Sequence, residues 1–437
     1  MAAQPAGLAE WLDYQQRVHP RAIELGLDRV REVWRRLGAP APAPVVVIVG
    51  GTNGKGSTVA FLEAMLAADG RRVGAYTSPH LLRYNERVRV AGEEVGDDLL
   101  VDAFARIEAA RLRTDAVRDP ADAIELTYFE FGTLAALWIF AHAGLDVAVL
   151  EVGLGGRLDA VNIIDADAAI VTTVDLDHQD WLGDDRDSIG REKAGIFRAG
   201  RAAIVAESDP PAALLDGAHR IGADIRRAGR DYAWEIEADS ASWRWRGDGA
   251  DLVLPPPGLV APCQHANAAG AIAALRALRG RLGWNPAAIA RGVAEARVGA
   301  RLQRFAGDPE LVVDVAHNPQ AARVLADWLC REPARGRTLA VFGALADKDV
   351  HGIVGAVAPR VDRWYPAGLD RDSPRGLAGI ALGEQVEQVA GARAAPASAD
   401  VAAALTTAWA DARPGDRVLA FGSFFVAAAA LAFAERR

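Results

Sequence analysis

The stretch Val45-Val-Val-Ile-Val49, followed at once by Gly50-Gly-Thr-Asn-Gly-Lys-Gly-Ser57, constrains the fold more than any other part of the chain. Five apolar β-branched residues in a row predict a strand buried on both faces, the kind found inside parallel sheets. A helical pattern follows from Ser57 to about Ala68 and is ended by Gly70. Strand, glycine loop and helix in that order make the first βα unit of a nucleotide-binding α/β fold. In such a loop the glycines let backbone N–H groups converge on phosphate oxygens, the helix N-terminus adds its dipole, and Lys55 adds a charge. Gly51, Thr52, Asn53, Gly54, Lys55, Gly56 and Ser57 are therefore candidate phosphate ligands. The loop departs from the usual pattern twice: its leading glycine is one residue too close, and Gly56 separates the lysine from Ser57. A direct magnesium bond from Ser57 is left open by that separation.

The α/β pattern continues along the chain. The first forty residues read as helical, with Leu25, Leu27, Val30, Val33, Trp34 and Leu37 on one apolar face until Pro40 and Pro44 intervene. Arg72–Thr77, Asp146–Val152 and Ala168–Val174 read as further strands, with a helix over Phe129–Ala143. Trp234 to Leu254 alternates around Gly247 and Gly249, which suggests a small hairpin or β-insertion. A helix from about His265 to Arg279 completes this domain, and the boundary is placed near Val298-Gly299-Ala300. Beyond it, Leu311–Val315, Leu339–Gly343, Val361–Pro366 and Arg417–Phe421 are strand candidates with helices between. The expected fold is α/β with two domains. Residues 1–298 form an N-terminal P-loop-type domain, its mostly parallel sheet flanked by helices and carrying a small β-insertion. Residues 299–437 form a smaller C-terminal Rossmann-like α/β domain.

Composition narrows the setting. At 437 residues the chain has room for two or three cores, and its net charge of −9 argues against a general nucleic-acid or anionic-membrane surface. Cys263 and Cys330 make neither a disulfide framework nor a zinc cluster, which points to a reducing cytoplasm. Met1 to Ala6 lacks a basic region ahead of an apolar one, and the apolar run Phe424 to Phe433 is about half a membrane span. Of 49 basic residues only Lys55, Lys193 and Lys348 are lysine. In a chain that prefers arginine, those three positions are suspects for a compact, titratable amine.

Each of them lies in a short motif. Glu151 ends the strand Asp146-Val-Ala-Val-Leu-Glu151, where a carboxylate beside a phosphate loop can hold Mg²⁺. His178, in Asp175-Leu-Asp-His178 after the next strand, can reach the same crevice. Lys348 follows a second-domain strand in Gly343-Ala-Leu-Ala-Asp-Lys-Asp349 and faces the crevice of that sheet.

Seven ordered motifs then carry a resemblance. Gly51-Thr-Asn-Gly-Lys-Gly56, Thr77-Ser-Pro-His-Leu81, Thr127-Tyr-Phe-Glu130, Glu151-Val-Gly-Leu-Gly-Gly-Arg-Leu-Asp159, Asp177-His-Gln-Asp-Trp-Leu-Gly183, Gly190-Arg-Glu-Lys-Ala-Gly-Ile-Phe197 and Asp314-Val-Ala-His-Asn-Pro319 together resemble the folylpolyglutamate synthases of the Mur ligase superfamily. The likeness runs from about residue 20 to Ser423. It implies an ATP-dependent ligase that adds L-glutamate to dihydropteroate and to reduced folates, with ATP as co-substrate. Gly51 to Lys55 are implied to bind the ATP phosphates, with Asn267, Arg301 and Asp314 holding ATP from the far side. Ser78 and Glu151 are implied to ligate one Mg²⁺, and Glu151, His178 and a CO₂-derived carbamate on Lys193 a second. Lys55, Lys193, His178 and His317 are the implied catalytic set. Ile23, Glu24, Leu25, Gly26 and Leu27, Thr127, Tyr128, Phe129 and Glu130, and Leu158, Asp159 and Ala160 are implied to meet the pteroate. Glutamate is implied near His317 and Ser423, and Lys348 is expected to approach it or the acyl phosphate. The family's Gly-Arg-Phe-Gln reads Ala300-Arg-Leu-Gln303 here.

The expected partners are these small molecules, with no nucleic acid and no membrane, and the chain is expected to be a cytoplasmic monomer. Two other readings stay open at this point. One is a Mur-type ligase acting on a cell-wall precursor, against which the Thr77 and Thr127 motifs speak. The other is a P-loop regulatory NTPase, which would need an Asn-Lys-x-Asp motif that the sequence lacks.

Overall fold

The computed structural model describes residues 5–19, 21, 23–112, 123–237 and 241–436, so Met1 to Gln4 of the stretch read above for a leader lie outside it. The chain divides into two units, Met1–Gly258 with His265–Ala296, and Leu259–Gln264 with Arg297–Arg437. The sequence reading expected one cut at 298/299. The structure instead returns Leu259–Gln264 to the second unit, because Ala261 is part of that unit's apolar core and Cys263 lies beside Asp314 and Arg301.

The first unit is built on eight strands: β1 (Val45–Gly50), β2 (Val73–Tyr76), β3 (Val88–Val90), β4 (Glu93–Glu94), β5 (Val147–Glu151), β6 (Ala168–Val171), β7 (Ala202–Val205) and β8 (Asp224–Arg227). Their order is β4-β3-β2-β5-β1-β6-β7-β8, parallel from β2 to β8, with β3 and β4 antiparallel at one edge. Every residue of β1 is buried, as its unbroken β-branched run requires. Register sets Val49 opposite Glu151 and Gly50 opposite Val171, so three carboxyl ends meet at one edge. The chain leaves β1 for β2 on one side and later reaches β6 on the other. β1 is therefore the switch point, where open α/β sheets bind ligands. A separate three-stranded antiparallel sheet, β9 (Tyr232–Ile236), β10 (Trp243–Gly247) and β11 (Ala250–Leu254), is the expected β-insertion, with Trp243 and Trp245 buried on one face.

The second unit orders its strands β12 (Gln303–Phe305), β13 (Glu310–Val313), β16 (Arg417–Phe421), β14 (Thr338–Phe342) and β15 (Arg363–Pro366). All but β12 run parallel, over a core that includes Phe342, Trp364 and Phe421. The two-domain α/β expectation holds.

Two local expectations change. The first forty residues do not form one helical run. Between helices Leu8–Val18 and Asp28–Arg36 the described residues are not helical, and residues 23–26 are half-buried. Pro20 cannot continue a helix, and it disfavours helical backbone at the residue before it. The helix after the phosphate loop starts at Lys55, two residues early, because Gly54 takes the left-handed conformation (φ 87°) that turns the chain into it. No helix among the described residues is long and apolar enough to cross a membrane.

Candidate active site

The phosphate loop is pinned to the end of β6. Thr52 N–H donates to the Thr173 carbonyl (2.8 Å), Asn53 N–H donates to Thr173 Oγ1 (2.9 Å), and Thr172 Oγ1 donates to the Asn53 carbonyl (2.6 Å). Thr172 and Thr173 were not singled out from the sequence. Their only signal was hydroxyl residues directly after a buried strand. Lys55 Nζ closes the loop on itself, donating to the carbonyls of Gly51 (3.1 Å) and Thr52 (3.2 Å). Gly51 and Gly54 have no room for a side chain. A Cβ on Gly51 would sit 1.8 Å from Thr172 Oγ1, and one on Gly54 would sit 2.5 Å from Asn267 Oδ1. Asn267 thus lies on the loop it was expected to serve, while Ser57 is buried at 2% exposure. Gly54→Ala is expected to push Asn267 off the loop and to add the left-handed penalty of about 1–2 kcal/mol per residue. Nucleotide affinity, read by ADP titration, should fall at least about tenfold.

Beside the loop, the ends of β2 and β5 meet. Ser78 N–H donates to Glu151 Oε2 (3.1 Å), and the Glu151 carboxylate is 5% exposed. His178, in left-handed backbone at φ 53°, caps the helix Gln179–Leu182. Lys193, on the helix Arg186–Ala194, is 2% exposed. Burial, followed by repulsion from Lys55, pushes its amine down to about 7, against the pull of Asp177 and Asp159. Asp159 accepts N–H bonds from Leu154 (2.8 Å) and Val161 (3.1 Å), yet burial pushes its carboxyl up to about 7. Lys55, Asp159 and Lys193 therefore share one buried electrostatic neighbourhood. Among the described residues no three His, Cys, Asp or Glu side chains converge as a ready metal cluster.

Two of the three segments expected to meet a pteroate are joined by Arg29, a residue that the sequence motifs did not mark. Arg29 donates to Glu24 Oε1 (2.6 Å) and to Glu130 Oε1 (2.9 Å), joining residues 23–27 to the start of the helix Tyr128–His142. Glu130 and Thr127 form that helix's reciprocal cap, so Glu130 is 3% exposed and cannot move freely. Phe129 lies against Gly153, where a Cβ would sit 2.5 Å from its ring. Leu158 is half-buried, and Ala160 follows Asp159 inside the core.

The second unit gathers the rest. Asp314 accepts N–H bonds from Leu302 and Ala316, both 2.7 Å, and burial raises its carboxyl despite the charge of Arg301. Arg301 sits between Ala300 (φ 53°) and Leu302 (φ 48°), both left-handed. Left-handed backbone costs alanine and leucine a steric penalty that glycine would not have. The Arg301 guanidinium lies over Phe424 at 5.4 Å, and the His317 ring lies 6.1 Å from the same ring. Ser423 caps the helix that begins at Phe424, so Arg301, His317 and Ser423 surround one aromatic side chain. Lys348 Nζ is 3.6 Å from the Asp347 carboxylate, which Arg375 also holds at 2.7 Å.

Known proteins resemble the chain over nearly its whole length. Residues 300–424 match the family described as Mur ligase, glutamate ligase domain. The chain is 46% identical to the dihydrofolate synthase/folylpolyglutamate synthase of Escherichia coli K12 over 98% of its own length and 95% of that protein's. It is 38% identical to the same enzyme of Haemophilus influenzae, over 96% of each. Among solved structures it resembles E. coli FolC in complex with DHPP and ADP, with a TM-score of 0.90, 45% identity and full coverage of both chains. It also resembles a bifunctional folylpolyglutamate synthase/dihydrofolate synthase with Mn, AMPPNP and L-glutamate bound, with a TM-score of 0.88, 43% identity, and 99% and 100% coverage. The chain belongs to the dihydrofolate synthase/folylpolyglutamate synthase family, within the Mur ligases.

Proposed function

We infer that the protein is an ADP-forming carbon–nitrogen ligase that adds L-glutamate to dihydropteroate and to reduced folates through an acyl phosphate. The observation that carries this reading is the shared crevice of the first unit. A glycine-rich phosphate loop with Lys55 lies there beside the Ser78–Glu151 pair and the buried Lys193. An acceptor carboxylate and a γ-phosphate are both anions, so their approach needs opposing charge fixed in place. Lys55 supplies a cation at the loop, and the backbone N–H groups of residues 54–57 at the helix start would orient the phosphates. Arg29, Glu24 and Glu130 hold two segments of the pteroate wall, and Phe129 packs on Gly153 beside them.

Mg²⁺ fits the donors present, because Glu151 and the Ser78 hydroxyl are hard oxygen ligands and a carbamate on Lys193 would be another. His178 completes the set. Bound there, Mg²⁺ would neutralise phosphate charge. In the second unit His317, Ser423 and Lys348 would receive the glutamate, and Arg301 with Asp314 the nucleotide. The protein would act as a cytoplasmic monomer, which sedimentation and cell fractionation would check.

The reading is tested by ADP release, which should require Mg²⁺, a pteroate or folate, and L-glutamate together. Rapid release with ATP alone would instead favour the regulatory-NTPase reading. Lys348→Ala should raise the glutamate KM about tenfold or more, the value of a lost charge-assisted hydrogen bond, with the ATP KM unchanged. Unaltered glutamate kinetics would return Lys348 to a local partner of Asp347.

A further inference from the structure

Arg87 is a buried cation whose charge has no carboxylate beside it. It is the last residue of the short 3-10 helix Tyr84–Arg87 and is 8% exposed. Its Nε–H donates to His80 Nδ1 at 2.8 Å. The guanidinium lies over the ring faces of Tyr84 (5.2 Å) and Tyr128 (5.5 Å). Among the described residues, no acidic group pairs with it and its two terminal nitrogens have no hydrogen-bond partner. The buried Arg111, by contrast, is paired with Glu108, and the half-buried Arg29 with Glu24 and Glu130. A buried guanidinium is costly unless an anion meets it, and its planar fork suits a carboxylate.

Its position says which anion. Through His80 it is tied to the segment Thr77-Ser78, whose Ser78 N–H already touches Glu151, and the Thr77 N–H bonds the Arg87 carbonyl at 2.9 Å. On the other side it faces Tyr128, at the start of the helix expected to meet the pteroate. The charge of Arg87 is felt at Tyr76, Tyr84 and Tyr128, whereas that of Lys55 is felt at Asp159 and Lys193. The crevice therefore has two separate cationic points, one on the phosphate loop and one on the acceptor side.

We propose that Arg87 binds the acceptor carboxylate that becomes the amide, holding it beside Ser78 and Glu151 against an aromatic cage of Tyr84 and Tyr128. This rests on the ligase reading above. The same carboxylate is the aryl one in dihydropteroate and the side-chain one in a glutamylated folate, so both activities would use Arg87.

The test compares dihydropteroate with its carboxylate-free counterpart, the same pterin on an unsubstituted aniline, by binding titration to the full chain with ADP and Mg²⁺ present. The wild type should prefer dihydropteroate by about tenfold to a hundredfold, the worth of hydrogen bonds to a charged group. Arg87→Gln should erase that preference while its ADP affinity stays unchanged, which also shows that it is folded. Arg87→Lys keeps the charge but not the fork, and should weaken dihydropteroate alone. Initial rates with dihydropteroate and tetrahydrofolate should fall by similar factors in both variants. A preference retained in Arg87→Gln, equal weakening of both compounds in Arg87→Lys, or a loss confined to tetrahydrofolate would each overturn the assignment. A wild-type chain that binds neither pterin would overturn the ligase reading along with it.

Discussion

Lys55→Ala is expected to lower kcat by about 10²–10³-fold, the usual effect of removing one preorganised group that stabilises transition-state charge. The fold should survive. In the present conformation Lys55 contributes only two hydrogen bonds to loop carbonyls, worth about 1 kcal/mol each or less. It stands at the first position of its helix, where alanine is the better helix former. Those carbonyl contacts also explain how the side chain is held ready: phosphate oxygens offer the amine stronger partners than neutral carbonyls do. The measurements are steady-state turnover and a thermal melt on the same preparation. Near-normal turnover would make the loop a structural turn. A lost melting transition would make Lys55 a residue of the fold.

Lys193→Ala is expected to lose a comparable factor and to regain part of it with acetate or another small carboxylate. The argument starts from burial. Lys193 is 2% exposed and has no salt bridge among the described residues, and burial pushes its amine down from 10.5 to about 7, so a large share is neutral at and above neutral pH. A neutral amine can add CO₂ and become an anionic oxygen donor, whereas the guanidinium that replaces lysine elsewhere in this chain cannot. The direction of the pH dependence follows. Below about 7 the amine is protonated and CO₂ capture fails, so activity and carbamate content should fall together as pH drops through that point. Stability runs the same way: between about 7 and 10.5 the folded chain binds fewer protons than the unfolded one, so unfolding free energy rises with pH across that window. NMR after loading with ¹³C-bicarbonate should show a carbamate carbon in the wild type and none in Lys193→Ala. An unmodified Lys193 in a metal- and nucleotide-loaded crystal would overturn the assignment.

Much of this protein was legible before any coordinates. Val45 to Val49 specify a doubly buried strand because five β-branched residues cannot be solvated cheaply in any other element. The glycines after it mark a tight loop that turns into a helix, because glycine takes left-handed backbone without a steric penalty, as Gly51 (φ 143°) and Gly54 (φ 87°) do. The scarcity of lysine drew attention to Lys55, Lys193 and Lys348 without reference to fold. All of these are local signals, carried by neighbouring residues.

Tertiary structure decided what depends on distant pairs. The non-helical residues 23–26 and the joining of Glu24 to Glu130 by Arg29 link residues about a hundred positions apart, and no periodicity encodes that bond. The same holds for Leu259–Gln264, a six-residue segment that looks like a linker but packs with the second unit through Ala261 and Cys263. Arg87 shows the difference most clearly. In the sequence it is one arginine among dozens, indistinguishable from those paired on the surface. Only the fold, by burying it against two tyrosine rings and pairing it with no described carboxylate, turns it into a charge that needs a ligand.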